Sequence, residues 1–163
     1  MREPRWLDAE QQQTWRAYMA ASQLLSDHID RQLQRDAGMP HVYYMLLVWL
    51  SESPNRRMRM TDLAERSKIT RSRLSHAISR LEKDGWLRRE ECPTDRRGQV
   101  AVLTDEGFAA LEKAAPGHVE AVRSAVFDRL DDDQVRALGE IMRTVAEGLA
   151  PRTGAGADVP WLR

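Results

Sequence analysis

Cysteine is almost absent from this chain. Cys92 stands alone among 163 residues, so no intrachain disulfide can staple the fold and the cytoplasm is the expected compartment. Long apolar runs are missing too. The longest, Val42 to Leu50, is roughly half of what a membrane span needs, which suits a buried helix and leaves no membrane partner to expect. No apolar segment follows Met1 to Arg5, so no secretion signal is expected. The sequence has no glycine-rich phosphate loop, no nucleophile beside a placed base and no paired carboxylates in a predicted cleft, so an enzyme is not expected. The acidic run Asp131–Asp133 reads as a helix cap. His28, His41, His76 and His118 are scattered without paired ligand spacing, so neither a metal nor another cofactor is expected. No internal repeat is visible.

An excess of one charge is also missing: 25 Lys and Arg face 25 Asp and Glu. The balance hides an asymmetry. Between Arg56 and Arg97 there are 13 basic and 7 acidic residues, a net of +6, so the remainder carries −6. Such a division gives one region a phosphate-attracting field; a solvated helix surface with arginines for solubility is the alternative.

Periodicity supplies the elements. Trp15, Tyr18, Ser22, Leu25, Ile29 and Leu33 recur at three- or four-residue steps along a helix from about Asp8 to Arg35, with Asp8 and Gln11 as a capping box. Gly38-Met39-Pro40 separates it from a short, largely apolar helix, His41 to Ser51, which belongs in a core. Arg57-Met58-Arg59-Met60 alternates like a strand. Thr61 is expected to cap the next helix, and Thr70 one reaching Asp84 with an apolar stripe of Leu74, Ala77, Ile78 and Leu81; Gly85 follows as its αL residue. Trp86–Glu90 and Val100–Leu103 read as two strands joined by a polar loop, Glu91 to Gln99. Thr104-Asp105 caps a long helical stretch, with a kink or break expected near Ala115 because Pro116-Gly117 falls inside it. Asp131 to Gln134 begins a last helix, and residues 150–163 read as a loose tail with Trp161 as its candidate anchor.

Two short helices and a hairpin make a winged helix-turn-helix, whose second helix fits a major groove. Away from the apolar stripe that helix presents Arg71, Ser72, Arg73, Ser75, His76, Ser79 and Arg80, all hydrogen-bond donors, with no acid before Glu82. An ordinary amphipathic helix with a polar outside is the competing reading. The loop that follows carries Asp95, Arg96 and Arg97; a hairpin with arginines at its tip is narrow enough for a minor groove, although charged tips are common on solvated turns.

Residues Met60 to Gly107 resemble the MarR family of bacterial transcription regulators. The resemblance lies in Met60-Thr61-Asp62-Leu63-Ala64-Glu65-Arg66, in Leu81-Glu82-Lys83-Asp84-Gly85-Trp86-Leu87, and above all in the run from Asp95 to Gly107, which matches the wing signature D-x-R-G-x-x-x-x-L-T-x-x-G. The fold so implied is mainly α with a small β-wing: one domain over residues 1–149, with a winged lobe at 40–103 and dimerisation helices at 8–36 and 104–149. The function implied is a repressor acting as a homodimer on palindromic double-stranded DNA. In that pattern Arg97 enters the minor groove supported by Asp95, while Thr61, Lys68, Thr70 and Arg88 are expected at the DNA backbone.

Dimerisation has its own argument: Trp6, Leu7, Trp15, Val126, Leu130, Leu138 and Ile141 need cover, from a partner or from the chain's own core. A small aromatic or anionic effector is implied by the family, and Trp15, Tyr18, Met19, Ser22, His41, Tyr43 and Tyr44 offer aromatic and polar groups for a pocket, or for simple core packing. Two other readings stay open: a winged-helix module that binds protein, and a thiol switch at Cys92, with Arg88, Arg89 and Arg96 nearby to lower its pKa. The family's peroxide sensors carry their cysteine in the first helix region, where this chain has none.

Overall fold

A computed structural model of the chain describes residues 3–92 and 95–149, and the side chains of all of these except 95–97. Helix α1 spans Ala9–Ala37. Asp8 accepts the Gln11 N–H at 2.8 Å, and Gln11 reaches back to the Asp8 N–H at 3.2 Å, the expected capping box. Gly38 ends the helix in the left-handed region, where a β-carbon would be strained. Helix α2, His41–Ser51, follows. A short 3₁₀ turn leads into strand β1, Arg57–Arg59, helix α3, Met60–Ser67, and helix α4, Arg71–Lys83. Strands β2, Leu87–Cys92, and β3, Asp95–Leu103, form the wing; α5, Asp105–Ala125, and α6, Asp132–Leu149, complete the described chain.

The core gathers around α2. Leu46, Leu47 and Leu50 are fully buried against Leu33 of α1, Leu63 of α3, Leu74, Ile78 and Leu81 of α4, and Leu87 and Leu103 of the sheet. The sheet is antiparallel with order β1-β3-β2. Alternation divides β3: Ala101 and Leu103 face the main core, whereas Val100 and Val102 cluster with Cys92 on the other face.

Three expectations need correction. Thr61 does not cap α3. Strand β1 ends at Arg59 and the helix begins at once, so Arg59 occupies the cap position without a side-chain bond, and the Thr61 hydroxyl lies 3.1 Å from the Asp62 carboxylate instead. The loop from Glu91 to Gln99 is shorter than expected. Strand pairing continues through Glu90↔Val100 and Glu91↔Gln99 before the register shifts at Cys92, because a ladder with one solvated face accepts polar residues. Pro93 and Thr94 at the tip lie outside the described residues, as does the tail with Trp161.

Finally, α5 runs unbroken through Pro116. The prolyl nitrogen removes one rung, but Ala114 and Ala121 are buried on either side of it, and Gly117 lies against Gln32 of α1. Tertiary packing overrides local propensity there. The helical stretch stops instead at Ala125, where Val126 leaves helical geometry and a 3₁₀ turn, Phe127–Arg129, leads to α6. Asp131 and Gln134 cap α6 reciprocally at 2.8 and 3.0 Å.

The join between wing and α5 explains a sequence pattern. Thr104 accepts the Gly107 N–H at 3.0 Å and donates its hydroxyl to the Gly85 carbonyl at 2.7 Å. Gly107 packs so closely under Trp86 that a β-carbon would sit 2.1 Å from the Trp86 carbonyl oxygen. Threonine and glycine three residues apart are therefore steric and capping requirements.

Candidate nucleic-acid interface

Helix α4 is positioned from both ends. The Thr70 hydroxyl accepts the Arg73 N–H at 3.3 Å, and Leu74, Ala77, Ile78 and Leu81 are buried. That stripe leaves Arg71, Ser72, Arg73, Ser75, His76, Ser79 and Arg80 exposed on one surface, as their spacing required. Lys68, in the left-handed region at the end of α3, is exposed beside them.

The structure sorts the basic residues of this region by whether an acid holds them. Arg57 and Arg88 both bond Glu90, at 2.8 and 2.9 Å. Arg66 bonds Glu52 at 3.2 Å, Arg56 bonds Asp105 at 3.1 Å, and Arg80 lies 3.3 Å from Asp84. Arg89 is held most fully. Its backbone N–H donates to Glu82 at 3.0 Å, its Nε at 2.9 Å and its Nη2 at 2.5 Å, and the same Nη2 donates to Ser79 Oγ at 3.1 Å. The Glu82 carboxylate makes this guanidinium harder still to deprotonate. Lys68, Arg71, Arg73 and Lys83 have no acid within ion-pair distance among the described residues. Three of these four lie at the turn before α4 and in its first turn, and Lys83 closes the helix. Sequence reading missed the Glu82–Arg89 pair because the partners straddle a helix end and a strand start. The Asp84-Gly85 turn between them was the one available signal.

The hairpin contributes its backbone to β3 from Asp95 onward; the side chains of Asp95, Arg96 and Arg97 lie outside the description. Cys92, expected in an open loop, is buried at the end of β2 beside Val100 and Val102. Arg88 and Arg89, which would have activated it, are bonded to Glu90 and Glu82.

The residues proposed for an effector pocket separate into two groups. Trp15, Tyr18, Met19 and Ser22 lie exposed on the first half of α1, with Trp15 and Tyr18 stacked at 5.8 Å. His41 and Tyr44 meet elsewhere, around His118 of α5, at ring distances of 5.7 and 4.4 Å. The His41 N–H bonds Asp30 at 2.8 Å, and Trp15 lies fifteen residues before Asp30, about 22 Å along the helix. One chain cannot close a pocket over both groups. Beside His41 opens a cleft of about 510 Å³ lined by Asp27, Asp30, Arg31, Met45 and Trp49 among others. The histidines are thus less scattered than their sequence positions suggest. Burial holds His118 below the usual imidazole range, with His41 adding to it; burial does the same to His41 against the pull of Asp30. Among the described residues no group of three ligating side chains could hold a metal.

Two short helices joined by a tight turn, an exposed cationic surface on the second and an adjoining hairpin define a winged helix-turn-helix protein. Residues 37–98 match the model of the MarR family. Across 100% of both chains the protein is 67% identical to Sco3205, a MarR family transcriptional regulator from Streptomyces coelicolor whose crystal structure was solved in complex with DNA, with a TM-score of 0.87. It is 40% identical to AbsC, a MarR family transcriptional regulator from the same organism, over 90% of this chain and 98% of AbsC, with a TM-score of 0.83. The HTH-type transcriptional repressor YetL of Bacillus subtilis is 27% identical over 124 residues, 74% of each chain. The chain belongs to the MarR family and is a DNA-binding transcriptional regulator. No described helix is long and apolar enough to cross a membrane.

Proposed function

We propose that the protein is a cytoplasmic homodimeric repressor that lays two copies of α4 in successive major grooves of a palindromic operator. Arg71, Ser72, Arg73, Ser75, His76, Ser79 and Arg80 face base edges and nearby phosphates. Thr61, Lys68, Thr70 and Arg88 face the backbone, and the hairpin with Asp95, Arg96 and Arg97 faces the minor groove. The observation that carries this reading is the acid-free exposed surface of α4, on which Arg71 and Arg73, with Lys68 just before it, have no acidic partner among the described residues. Arg80 and Arg88 are held by Asp84 and Glu90, so their phosphate contacts require those carboxylates to share them, and the strongest contacts fall to Lys68, Arg71 and Arg73.

Dimerisation is supported by the two ends of the chain. No residue of α6 is buried. Trp6, Leu7, Trp15 and Ile141 are exposed, and Val126, Leu130 and Leu138 are half-buried. A second copy covers such faces and places the recognition helices about one helical turn of DNA apart. A small effector enters between α1 and α2, where the cleft beside His41 offers an aromatic wall and charged groups of both signs.

Fluorescence anisotropy on fragments selected from genomic DNA tests the reading. Affinity should fall steeply and linearly in log–log form with salt, as phosphate contacts release counterions. Salt-independent binding, or equal affinity for all sequences, would overturn it, and binding of protein alone would favour an interaction module. Effector binding is checked by a thermal-shift screen of small aromatic acids, followed by release of bound DNA.

A further inference from the structure

Ser79 differs from four other serines of the fold. Ser51, Ser53, Ser67 and Ser124 each donate their hydroxyl to a backbone carbonyl one turn back, the usual way a serine near a helix satisfies itself. The Ser79 hydroxyl makes no such bond among the described residues. Its single partner is Arg89 Nη2, and an arginine only donates. One Ser79 lone pair is therefore occupied, its proton is uncommitted, and a positive charge sits behind it. That charge disfavours a second donor approaching the oxygen.

Arg89 stays in place because Glu82 takes three hydrogen bonds from it. Glu82 is the only acid on α4 and lies three residues beyond Ser79 on the same helix, while Arg89 projects from β2. The bond network thus links the recognition helix to the wing. It also removes one arginine from the charge available to phosphates.

We propose that Glu82 is a positioning residue for sequence recognition: through Arg89 it turns the Ser79 hydroxyl into a directed donor toward the groove. The base edge beneath Ser79 should then present an acceptor, guanine N7 or O6, adenine N7 or thymine O4, and the amino group of cytosine should be disfavoured. This rests on the reading that α4 enters the major groove.

The test uses the full-length protein and an operator selected from genomic fragments, with every base pair of one half-site varied in turn. Ser79→Ala should flatten the preference at one base pair per half-site by about tenfold, the weight of one well-placed hydrogen bond. Glu82→Ala should flatten the same base pair, and the double variant should be no worse than Ser79→Ala. Because Glu82→Ala also frees the Arg89 charge, its salt dependence should steepen by about one per subunit. Arg89→Ala should flatten the same base pair with the slope of the wild type; it carries the test if thermal melting shows Glu82→Ala unfolded. A uniform loss across all sequences with Glu82→Ala, or losses from Glu82→Ala and Ser79→Ala that add, would reduce the network to a structural brace. An unaltered preference in Ser79→Ala would sink the proposal outright. In the same series Arg73→Ala separates the two readings: if it weakens binding while Ser79→Ala changes nothing, the groove assignment survives and only the role of Glu82 falls.

Discussion

Helices α4 and α6 share an amphipathic pattern and differ in what covers them. The apolar stripe of α4 is buried within its own chain, so its polar side is what the molecule displays. Helix α6 carries Val135, Leu138, Ile141, Met142, Val145 and Leu149 along one face, yet none of its residues is buried. The first half of α1 behaves like α6, with Trp15 half exposed, whereas its second half is anchored by Ile29 and Leu33. An apolar stripe announces that cover is needed; it does not say which chain provides it. The winged region closes its core with help from the second half of α1 and from α5 and presents charge, while the first half of α1 and α6 present apolar surface.

The largest expected effect breaks the self-sufficient side. Gly107→Ala drives a β-carbon into the Trp86 carbonyl and should cost about 3 kcal/mol of stability, at the upper end of overpacking effects. Urea denaturation followed by circular dichroism reads it; an unchanged midpoint would mean that the wing–α5 joint yields freely. Next comes the side whose apolar face this chain leaves uncovered. Ile141→Asp on the exposed face of α6 should leave the thermal transition of the lobe in place but weaken dimerisation by about 100-fold, since it buries a charge in an apolar interface. Sedimentation equilibrium measures this, and a wild type that stays monomeric would erase the contrast between the helices.

A third effect concerns the displayed charge. Arg73→Ala should weaken operator binding about tenfold and lower the salt slope by about one per subunit, whereas Arg88→Ala, already bonded to Glu90, should change binding much less. Equal losses would show that ion pairing within the lobe does not rank these residues. The smallest effect is on pH. Burial lowers the proton affinity of His41 and His118 in the fold, while in the unfolded chain both take up protons near the usual 6.5. Below that pH the unfolded state binds more protons, so stability falls as the medium is acidified. The melting temperature should drop between about pH 7.5 and pH 5.5, and less so in His118→Gln. A drop of equal size in that variant would place the sensitivity elsewhere.

Much of the fold was legible in residues. Asp8 with Gln11, Thr70, and Thr104 mark helix starts because capping is a local geometry. The stripe on α4 fixed which arginines and serines point outward. Local signals misled at Pro116, where packing against α1 holds a helix that propensity would interrupt, and at Thr61, where sheet pairing sets the helix start one residue before any good cap. They also could not show that His41 and His118 stack although 77 positions separate them, or that six arginines of the basic region are bonded to acids.

The order of elements, the core faces and the outward side of α4 follow from periodicity and capping, which act over one or two turns of chain. Which cations remain available, where Ser79 aims its proton and why Gly107 tolerates no side chain depend on approaches between distant segments. Only the folded chain brings those groups within hydrogen-bonding or steric range, and no run of neighbouring residues encodes such a distance by itself.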